Sequence, residues 1–189
     1  MFEGENEMSS RCEVKMYDDY VIKQYKVSES YLQEKETYDR LSNKAYIPKM
    51  LFFDDKNMTI KLQRISAMTL SEYINRNRRV PYNLAKDLKK ILLEMAEVGI
   101  VDTPDFYKFE HIYVTEDEKI VVIDFDVNIA FPFDNPNFQE MVNMRIESIE
   151  KEYCFLTGDA NAWAKFKKML YKGGVSEAMA DDFYCNMVK

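Results

Sequence analysis

The chain has 189 residues, of which 47% are apolar and 14% are aromatic, and its formal charge at pH 7 is −7. This apolar content is enough for the core of one domain, or of one domain built as two small lobes. No apolar run approaches the roughly 20 residues that a membrane-spanning helix needs, and an acidic chain is a poor candidate for binding nucleic acid through a broad basic surface. We therefore expect neither a membrane segment nor a nucleic-acid partner of that kind.

The cysteines and the N-terminal residues indicate a compartment. Cys12, Cys154 and Cys185 are odd in number, widely spaced and without a C-x-x-C pair. This pattern favours free thiols under reducing conditions over a disulfide scaffold or a zinc site. Residues 1–7 are acidic and lack the basic start and apolar stretch of a secretion signal. We therefore expect a cytoplasmic protein.

The first third of the chain alternates apolar and polar residues as strands do. Ser30 is followed three residues later by Gln33, a capping-box pattern that predicts a helix start at Ser30. The predicted elements are a hairpin over residues 12–26, a helix from Ser30 to Leu41, and strands over residues 50–53 and 58–65. Together they predict a small antiparallel sheet that carries one helix.

After Ile65 the pattern becomes helical, which predicts a first lobe at residues 1–65 and a second lobe at residues 66–189 of one domain. Thr69 and Glu72 form a second capping-box pattern, and an amphipathic helix from Leu84 ends at Gly99. The further predicted elements are a strand pair at residues 112–114 and 120–123, and helices at residues 137–153, 159–170 and 176–187.

Four polar residues punctuate this layout at places suited to phosphate chemistry. Lys23 lies on a strand and Glu34 on the following helix, where an ion pair between them would hold the ammonium group toward phosphate oxygens. Asp124 ends a buried strand, and a carboxylate there can bind Mg²⁺, which prefers oxygen ligands. Asp105, in an irregular loop, can orient a hydroxyl nucleophile. Positioning and charge neutralisation of this type are what phosphoryl transfer requires.

Each of these residues also has a simpler interpretation. Lys23 can be a solvated lysine, and Glu34 can belong to a surface network on a charged helix, where Glu36 is a rival for the same role. Asp124 can cap a turn, and Asp102 competes with Asp105 as the acid of the loop. His111 can be a structural histidine, because imidazole is a poor match for Mg²⁺.

The order of these elements and residues resembles the protein-kinase-like superfamily. Val21-Ile22-Lys23 is similar to the V-A-I-K strand, Glu34 to the glutamate of helix C, and Asp124-Phe125-Asp126 to D-F-G. Residues 61–65 resemble the strand that leads into the hinge, and residues 97–101 resemble the run before the catalytic loop. The likeness spans about residues 2 to 130.

This resemblance implies an α+β, bilobal fold with a small antiparallel-sheet N-lobe, one main helix in it, and a reduced helical C-lobe. It implies binding of ATP and Mg²⁺, and a partner that is a protein substrate or a regulatory protein. The implied site residues are Asp105 and Lys23 for catalysis, Lys23, Glu34, Gln63 and Ile65 for nucleotide binding, and Asp124 and His111 for the metal.

The chain departs from the family pattern in ways that leave two functions open. Between Gly4 and Gly99 there is no glycine for a G-x-G-x-x-G loop, the H-R-D-x-x-x-x-N motif is absent, and Asp126 replaces the glycine of D-F-G. One hypothesis is a Ser/Thr protein-kinase-like phosphotransferase with an atypical catalytic loop. The alternative is an inactive pseudokinase that acts as a protein-binding or regulatory module.

The small second lobe resembles that of compact atypical kinases and of short kinase-like effectors of pathogens and viruses. For an effector of that kind, the expected location would be the host cytosol. A small-molecule phosphotransferase of the aminoglycoside-kinase type is a third hypothesis. It is less favoured because the chain lacks the H-G-D-x-x-x-x-N loop of those enzymes and their large helical lobe.

Overall fold

A computed structural model describes residues 6–8, 11–102, 107–126 and 128–187 of the chain. Its first half is a five-stranded antiparallel sheet with the strand order β1-β2-β3-β5-β4. The strands are β1 (Asn6–Met8), β2 (Cys12–Met16), β3 (Tyr20–Tyr25), β4 (Met50–Asp54) and β5 (Thr59–Gln63). Side chains alternate across β5, where Ile60 and Leu62 are buried. The predicted hairpin and the two later strands are confirmed.

Strand β5 begins one residue after the predicted start, because Met58 has a φ of +48° and belongs to the preceding turn. The strand also ends two residues earlier than predicted, at Gln63. Backbone in the left-handed region cannot continue a β-ladder, so the apolar pattern alone placed the boundary too early.

Helix α1 (Ser28–Arg40) packs on this sheet and begins two residues before the predicted start. Its N-cap residue is Val27, and no side chain caps the helix. The predicted capping box at Ser30 is therefore wrong, because Ser30 already lies inside the first turn and is buried. The apolar face of the helix packs toward the core, since Tyr31, Tyr38 and the following Leu41 are all buried.

Arg40, the last residue of α1, connects this helix to the second half of the chain. Its Nη1 atom donates hydrogen bonds to the main-chain oxygens of Val98 and Phe131, both at 2.8 Å. Its Nε atom donates to Glu36 at 2.7 Å, and the guanidinium lies 4.0 Å from the ring centroid of Phe133. One side chain thus ties α1 to two separate segments of the other lobe.

The second half is mainly helical. Its elements are β6 (Met68–Thr69), α2 (Leu70–Asn77), α3 (Leu84–Glu97), β7 (Ile100–Val101), β8 (Ile112–Val114), β9 (Ile120–Val122), β10 (Ile129–Ala130), α4 (Phe138–Glu152), α5 (Ala160–Lys172) and α6 (Glu177–Met187). Strands β6, β8 and β9 form one small antiparallel sheet, and β7 pairs with β10. None of the described helices is long and apolar enough to span a membrane.

The sequence predictions for this half are confirmed within two residues at each helix end. The capping box at α2 is present, because the Thr69 hydroxyl accepts from the Glu72 amide and the Glu72 carboxylate accepts from the Thr69 amide. Helix α3 buries Leu84, Leu88 and Met95 completely. It is the central helix of the lobe, and its C-terminal end leads to the loop that carries the candidate catalytic residues.

Gly99 follows α3 at a tight point of the fold. Its φ is +73°, and a Cβ atom built on it would lie 2.4 Å from the Phe138 ring and 3.1 Å from Arg40 Nη1. Gly158 is a matched control, because its φ is +96° and nothing lies within 4 Å of its Cβ position. Alanine at Gly158 therefore tests the backbone conformation alone, whereas alanine at Gly99 adds a steric clash.

We expect Gly158→Ala to lower the free energy of unfolding by about 1 kcal/mol. Gly99→Ala should cost about 1–3 kcal/mol more than that, the usual penalty of overpacking. Urea denaturation of both variants measures the difference. Equal losses would show that Phe138 and Arg40 move away without cost.

Candidate functional site

The candidate site is built around Lys23, which lies in the middle of the five-stranded sheet. Strand β3 pairs on both sides, with Val14 of β2 opposite Lys23 on one side and Ile60 of β5 on the other. The Lys23 side chain points to the helix side of the sheet, and only 7% of the residue is exposed. A charged group buried to this degree needs partners, because removing a lone charge from water is very costly.

Two carboxylates supply these partners. Lys23 Nζ donates to Glu34 Oε2 at 2.7 Å and to Glu34 Oε1 at 3.0 Å, and it donates to Asp124 Oδ1 at 2.8 Å. Glu34, on α1, is completely buried, whereas 28% of the Asp124 side chain is exposed. The ion pair predicted between Lys23 and Glu34 is present, and the rival Glu36 instead bonds Arg40. The structure thus brings three predicted site residues together from three distant parts of the chain.

Tyr25 is a member of this cluster that the sequence analysis missed. Its hydroxyl donates a hydrogen bond to Glu34 Oε2, and the residue is 2% exposed. It lies two positions after Lys23 on the same strand, and the two-residue period of a strand places both side chains on one face. That period is the signal that would have found it.

Removal of the Tyr25 hydroxyl should weaken the fold through Glu34. We expect Tyr25→Phe to lower the free energy of unfolding by about 1.5–3 kcal/mol, the range for a hydrogen bond to a charged group. The matched control is Tyr20→Phe on the same strand, whose ring stacks on Tyr17. Chemical denaturation measures both variants.

A second measurement separates the hydroxyl from ring packing. In a background that carries Glu34→Gln, Tyr25→Phe should cost clearly less than in the parent protein, because the charge on the acceptor is gone. A loss of the same size in both backgrounds would contradict a role for the Tyr25–Glu34 hydrogen bond.

Asp124 reaches Lys23 from a strained backbone conformation. Its φ is +68°, in the left-handed region that non-glycine residues rarely adopt. Strand β9 ends two residues earlier, and the Ile123 amide donates to the His111 carbonyl at 3.0 Å. The next residue, Phe125, is buried and packs edge to face on Tyr38 of α1, with ring centroids 5.6 Å apart. The packing of Phe125 and the bond at Ile123 fix the turn that presents the Asp124 carboxylate.

The charges around Asp124 keep it ionised. Burial alone would raise the pKa of Asp124, but the charge and hydrogen bond of Lys23, with His111 and Lys108 nearby, outweigh burial and hold that pKa below its usual value. Burial alone would lower the pKa of Lys23, but Glu34, Tyr25 and Asp124 hold it well above the ordinary value. Lys23 is therefore a fixed cation, and Asp124 is a partly exposed anion beside it.

Lys108 is a second site residue that the sequence analysis missed. It lies three residues before His111, whose amide donates to the Lys108 carbonyl at 2.9 Å, and its charge contributes to the lowered pKa of Asp124. Its position in the loop between Asp105 and His111 was the available signal, because it is the only lysine there.

His111 lies against the Asp124 carboxylate. Its Nε2 atom is 3.4 Å from Asp124 Oδ2, and its Nδ1 atom is buried without a hydrogen-bond partner among the described residues. No group of three or more His, Cys, Asp or Glu side chains suited to a metal occurs in the described ranges. The donor set is thus the Asp124 carboxylate with an adjacent imidazole. One carboxylate fits Mg²⁺, which commonly completes its shell with water and phosphate oxygens.

Asp102 and Asp105 are the two candidate acids of the loop after β7. Asp105 lies outside the described residues. Asp102 has an engaged carboxylate, which accepts a hydrogen bond from Arg145 of α4, and its side chain is 7% exposed. Burial raises the pKa of Asp102 although Arg145 opposes that effect. Asp102 therefore serves as the anchor that joins the loop to α4, a contact that the sequence pattern did not predict.

Three remaining residues lie at the edges of the site. Gln63 is exposed at the end of β5, and Ile65 is half-buried in the connection to β6. Asp126, which stands where a glycine was expected, is 7% exposed and has a carboxylate oxygen 3.8 Å from Arg11 Nη1. This acid thus faces a cation just ahead of β2, and the position need not hold a glycine.

Comparison with known proteins places this geometry in a fold class. No protein-family model and no curated protein sequence matches the chain. Among solved structures, the Rio2 kinase–ADP/Mg²⁺–phosphoaspartate complex from Chaetomium thermophilum matches with a TM-score of 0.50 at 13% identity, over 97% of this chain and 69% of that one. WbdD matches with a TM-score of 0.51 at 10% identity, over 98% of this chain and 45% of that one.

The chain has a protein-kinase-like fold. The five-stranded sheet with α1 corresponds to the N-lobe of that fold, and the helices from α2 onward correspond to a small C-lobe. At identities this low the two neighbours show the fold alone, and the activity has to be argued from the site.

Proposed function

We propose that this kinase-like domain binds ATP with Mg²⁺ and transfers a phosphoryl group to a serine or threonine of a protein. The observation that carries this function is the buried Lys23 ammonium, which lies between the carboxylates of Glu34 and Asp124 at 2.7 Å and 2.8 Å. A purely structural ion pair would need Glu34 alone. The second carboxylate, that of Asp124, helps to position the ammonium group for an anionic ligand.

Each residue has a distinct role in this function. Lys23 would contact the phosphates of ATP, and Glu34 would hold the ammonium in place from its buried position on α1. Gln63 and Ile65 would contact the nucleotide where β5 leads into the C-lobe. Asp124 would hold Mg²⁺, which supplies charge neutralisation at the phosphate oxygens when bound, with His111 beside it. The Rio2 neighbour is a complex with ADP/Mg²⁺, which supports a nucleotide ligand for this fold.

The acid that orients the hydroxyl nucleophile is assigned to Asp105. Asp102 is the poorer candidate, because its carboxylate is engaged by Arg145 and is largely buried. Lys108 would add a positive charge close to Asp124 and could stabilise the transferring phosphoryl group.

A regulatory module without transfer activity is the second candidate. The feature that favours it is the use of Asp102 as a structural anchor together with the absence of the family's loop motif. In that case the Lys23 site would bind nucleotide, or would only stabilise the fold, and the surface of the C-lobe would carry the function.

Ligand-dependent stability tests nucleotide binding. With ATP and Mg²⁺ at about 100 times the dissociation constant, binding adds about 2.7 kcal/mol, which raises the Tm of a chain of this size by about 5–10 °C. Adenosine, which lacks phosphates, should give a much smaller shift, because Lys23 and Asp124 would have no ligand. If millimolar ATP leaves the Tm unchanged with and without Mg²⁺, the domain is not a nucleotide-binding protein.

Product analysis then separates the two candidates. An enzyme should release ADP and add phosphate to Ser/Thr-containing protein or peptide, as detected by mass spectrometry. The regulatory module would be favoured if ATP bound but no protein or peptide gained phosphate, and if Asp105→Asn left ATP binding unchanged.

A further inference from the structure

The C-lobe contains a cleft that none of the roles above uses. Its volume is about 760 Å³. It is lined by α4, by α5 and by the residues on either side of the candidate catalytic loop. Residues 103–106 connect two of its lining segments and lie outside the described residues. The floor is apolar and is formed by Phe109, Tyr153 and Phe166, which are at most 5% exposed. The Phe109 ring closes on the backbone of Gly173, where a Cβ atom would lie 2.1 Å from it.

The rim of this cleft is basic, although the chain as a whole carries a charge of −7. Its described lining has five cationic side chains and three anionic ones, for a net charge of +2. The cations are Lys108, Lys165, Lys168, Lys172 and Arg145, and the anions are Asp102, Glu110 and Glu152. Arg145 is already paired with Asp102 and Glu152. The exposed lysines on α5, which are Lys165, Lys168 and Lys172, are therefore the charges that remain to face a ligand.

Three of these lysines form a stripe on α5. Lys165, Lys168 and Lys172 are exposed and follow the three- and four-residue spacing of one helix face. They make no hydrogen bond or ion pair with any described residue, whereas Lys167 on the other side of α5 pairs with Asp181 of α6 at 2.7 Å. Neighbouring like charges on a helix face cost stability, and an anionic ligand in the adjacent cleft would relieve that repulsion.

We propose that this cleft binds an acidic segment of a protein, with one apolar side chain of that segment against the floor. The stripe runs over eight residues of helix, 165–172, whose first and last Cα atoms are about 10 Å apart along the axis, and this length matches about three residues of an extended peptide. A nucleic acid fits less well, because the chain as a whole carries a charge of −7, which repels an extended phosphate backbone more than it repels a three-residue acidic segment.

The cleft also adjoins the candidate active site. Glu110 lines the cleft and directly precedes His111, whose Nε2 atom is 3.4 Å from Asp124 Oδ2. A segment bound here would therefore place its neighbouring residues close to the transferring phosphate. The identification of the bound protein as the substrate rests on the proposed function, whereas the binding of an acidic segment does not.

Fluorescence anisotropy tests the binding. The probe is a labelled peptide of glutamates with one central phenylalanine, and the comparison probe is its lysine counterpart. The cleft variant is Lys165→Glu/Lys168→Glu. The matched control is Lys86→Glu/Lys90→Glu, which removes two exposed lysines from α3, outside the cleft, and changes the net charge equally. All four positions are exposed on helices, so circular dichroism should show an unchanged fold.

The acidic probe should bind the parent protein, and the cleft variant should bind it at least about tenfold more weakly, since each lost charge pair reduces affinity. The control should bind as the parent does, and the lysine probe should not bind. Equal weakening in both variants, or no binding of the acidic probe at low salt, would overturn the proposal. Tighter binding of a single-stranded oligonucleotide that is lost in the cleft variant would also overturn it, in favour of nucleic acid.

Two further measurements separate this inference from the proposed function. Lys23→Met should keep the acidic probe bound, because Lys23 does not line the cleft. Peptide binding without any ATP binding would refute the kinase activity and leave the acidic-segment site standing. If transfer occurs, a serine peptide with an acidic flank should show a higher KM in the cleft variant with kcat unchanged. An unchanged KM would show that the bound segment is not part of the substrate.

Discussion

Lys23→Met is expected to abolish stabilisation by ATP and to lower the free energy of unfolding by about 3–5 kcal/mol. The reason for the loss of stability is Glu34. Its carboxylate is completely buried and accepts two hydrogen bonds from Lys23. Without the ammonium group, the buried carboxylate keeps the Tyr25 hydroxyl as its one hydrogen-bond partner among the described residues. The loss of ATP binding follows from the absence of a cation at the phosphates.

A double variant separates these two effects. Lys23→Met/Glu34→Leu replaces the buried ion pair with apolar side chains, and such replacements are often neutral for stability. We expect the double variant to recover most of the lost stability but none of the ATP-dependent Tm shift. Lys15→Met, at a half-exposed position on the neighbouring strand, is the control and should change neither quantity.

Urea denaturation gives the stabilities, and thermal denaturation with and without ATP and Mg²⁺ gives the binding. If the double variant still responded to ATP, the site at Lys23 would not be the nucleotide site. If Lys23→Met lost less than about 1 kcal/mol, Glu34 would not depend on Lys23 for its charge.

Asp124→Asn is expected to remove the Mg²⁺-dependent part of ATP binding and to reduce phosphoryl transfer by about 100-fold or more, because a metal contributes several kcal/mol to transition-state charge stabilisation. Asparagine is the informative replacement. The φ of Asp124 is +68°, and aspartate and asparagine tolerate this left-handed conformation better than other non-glycine residues do. Asp124→Ala would add backbone strain to the loss of charge, and the measurement could not separate these two effects.

The measurement is a titration of ATP affinity and of transfer rate with Mg²⁺, for the parent and for Asp124→Asn. The matched control is Asp126→Asn, which removes an acid two residues further along. Asp126 faces Arg11, so its loss should affect stability more than Mg²⁺ dependence. An identical Mg²⁺ titration for the parent and Asp124→Asn would refute the metal role of Asp124.

The sequence predicted the order of the elements well, because their signals are local. Thr69 and Glu72 formed the expected capping box, since a helix start needs only neighbouring residues. Ser30 has the same pattern, but the helix start that it predicted is wrong. Helix α1 packs on the sheet, begins at Ser28 and buries Ser30. The core of the sheet can override a local start signal.

The candidate site was less predictable because its contacts are long-range. Resemblance to a family singled out Lys23, Glu34 and Asp124, and the fold brings these three side chains into contact. No local pattern could show that Arg145, 43 residues along the chain, would engage Asp102. Such a contact depends on how α4 packs against the loop, which only the assembled fold determines.

The attachment at Arg40 has a consequence for switching. Many two-lobed proteins change activity by swinging one element away from the other. Here α1, the helix that carries Glu34, ends at Arg40, whose guanidinium is bonded to the main-chain oxygens of Val98 and Phe131. An outward movement of α1 would therefore break both bonds at once. Helix α1 is thus held both at Glu34, by Lys23, and at its C-terminal end, by the bonds of Arg40. Under the proposed function, a regulator would have to block access to the site, because separating Glu34 from Lys23 would also break the bonds of Arg40.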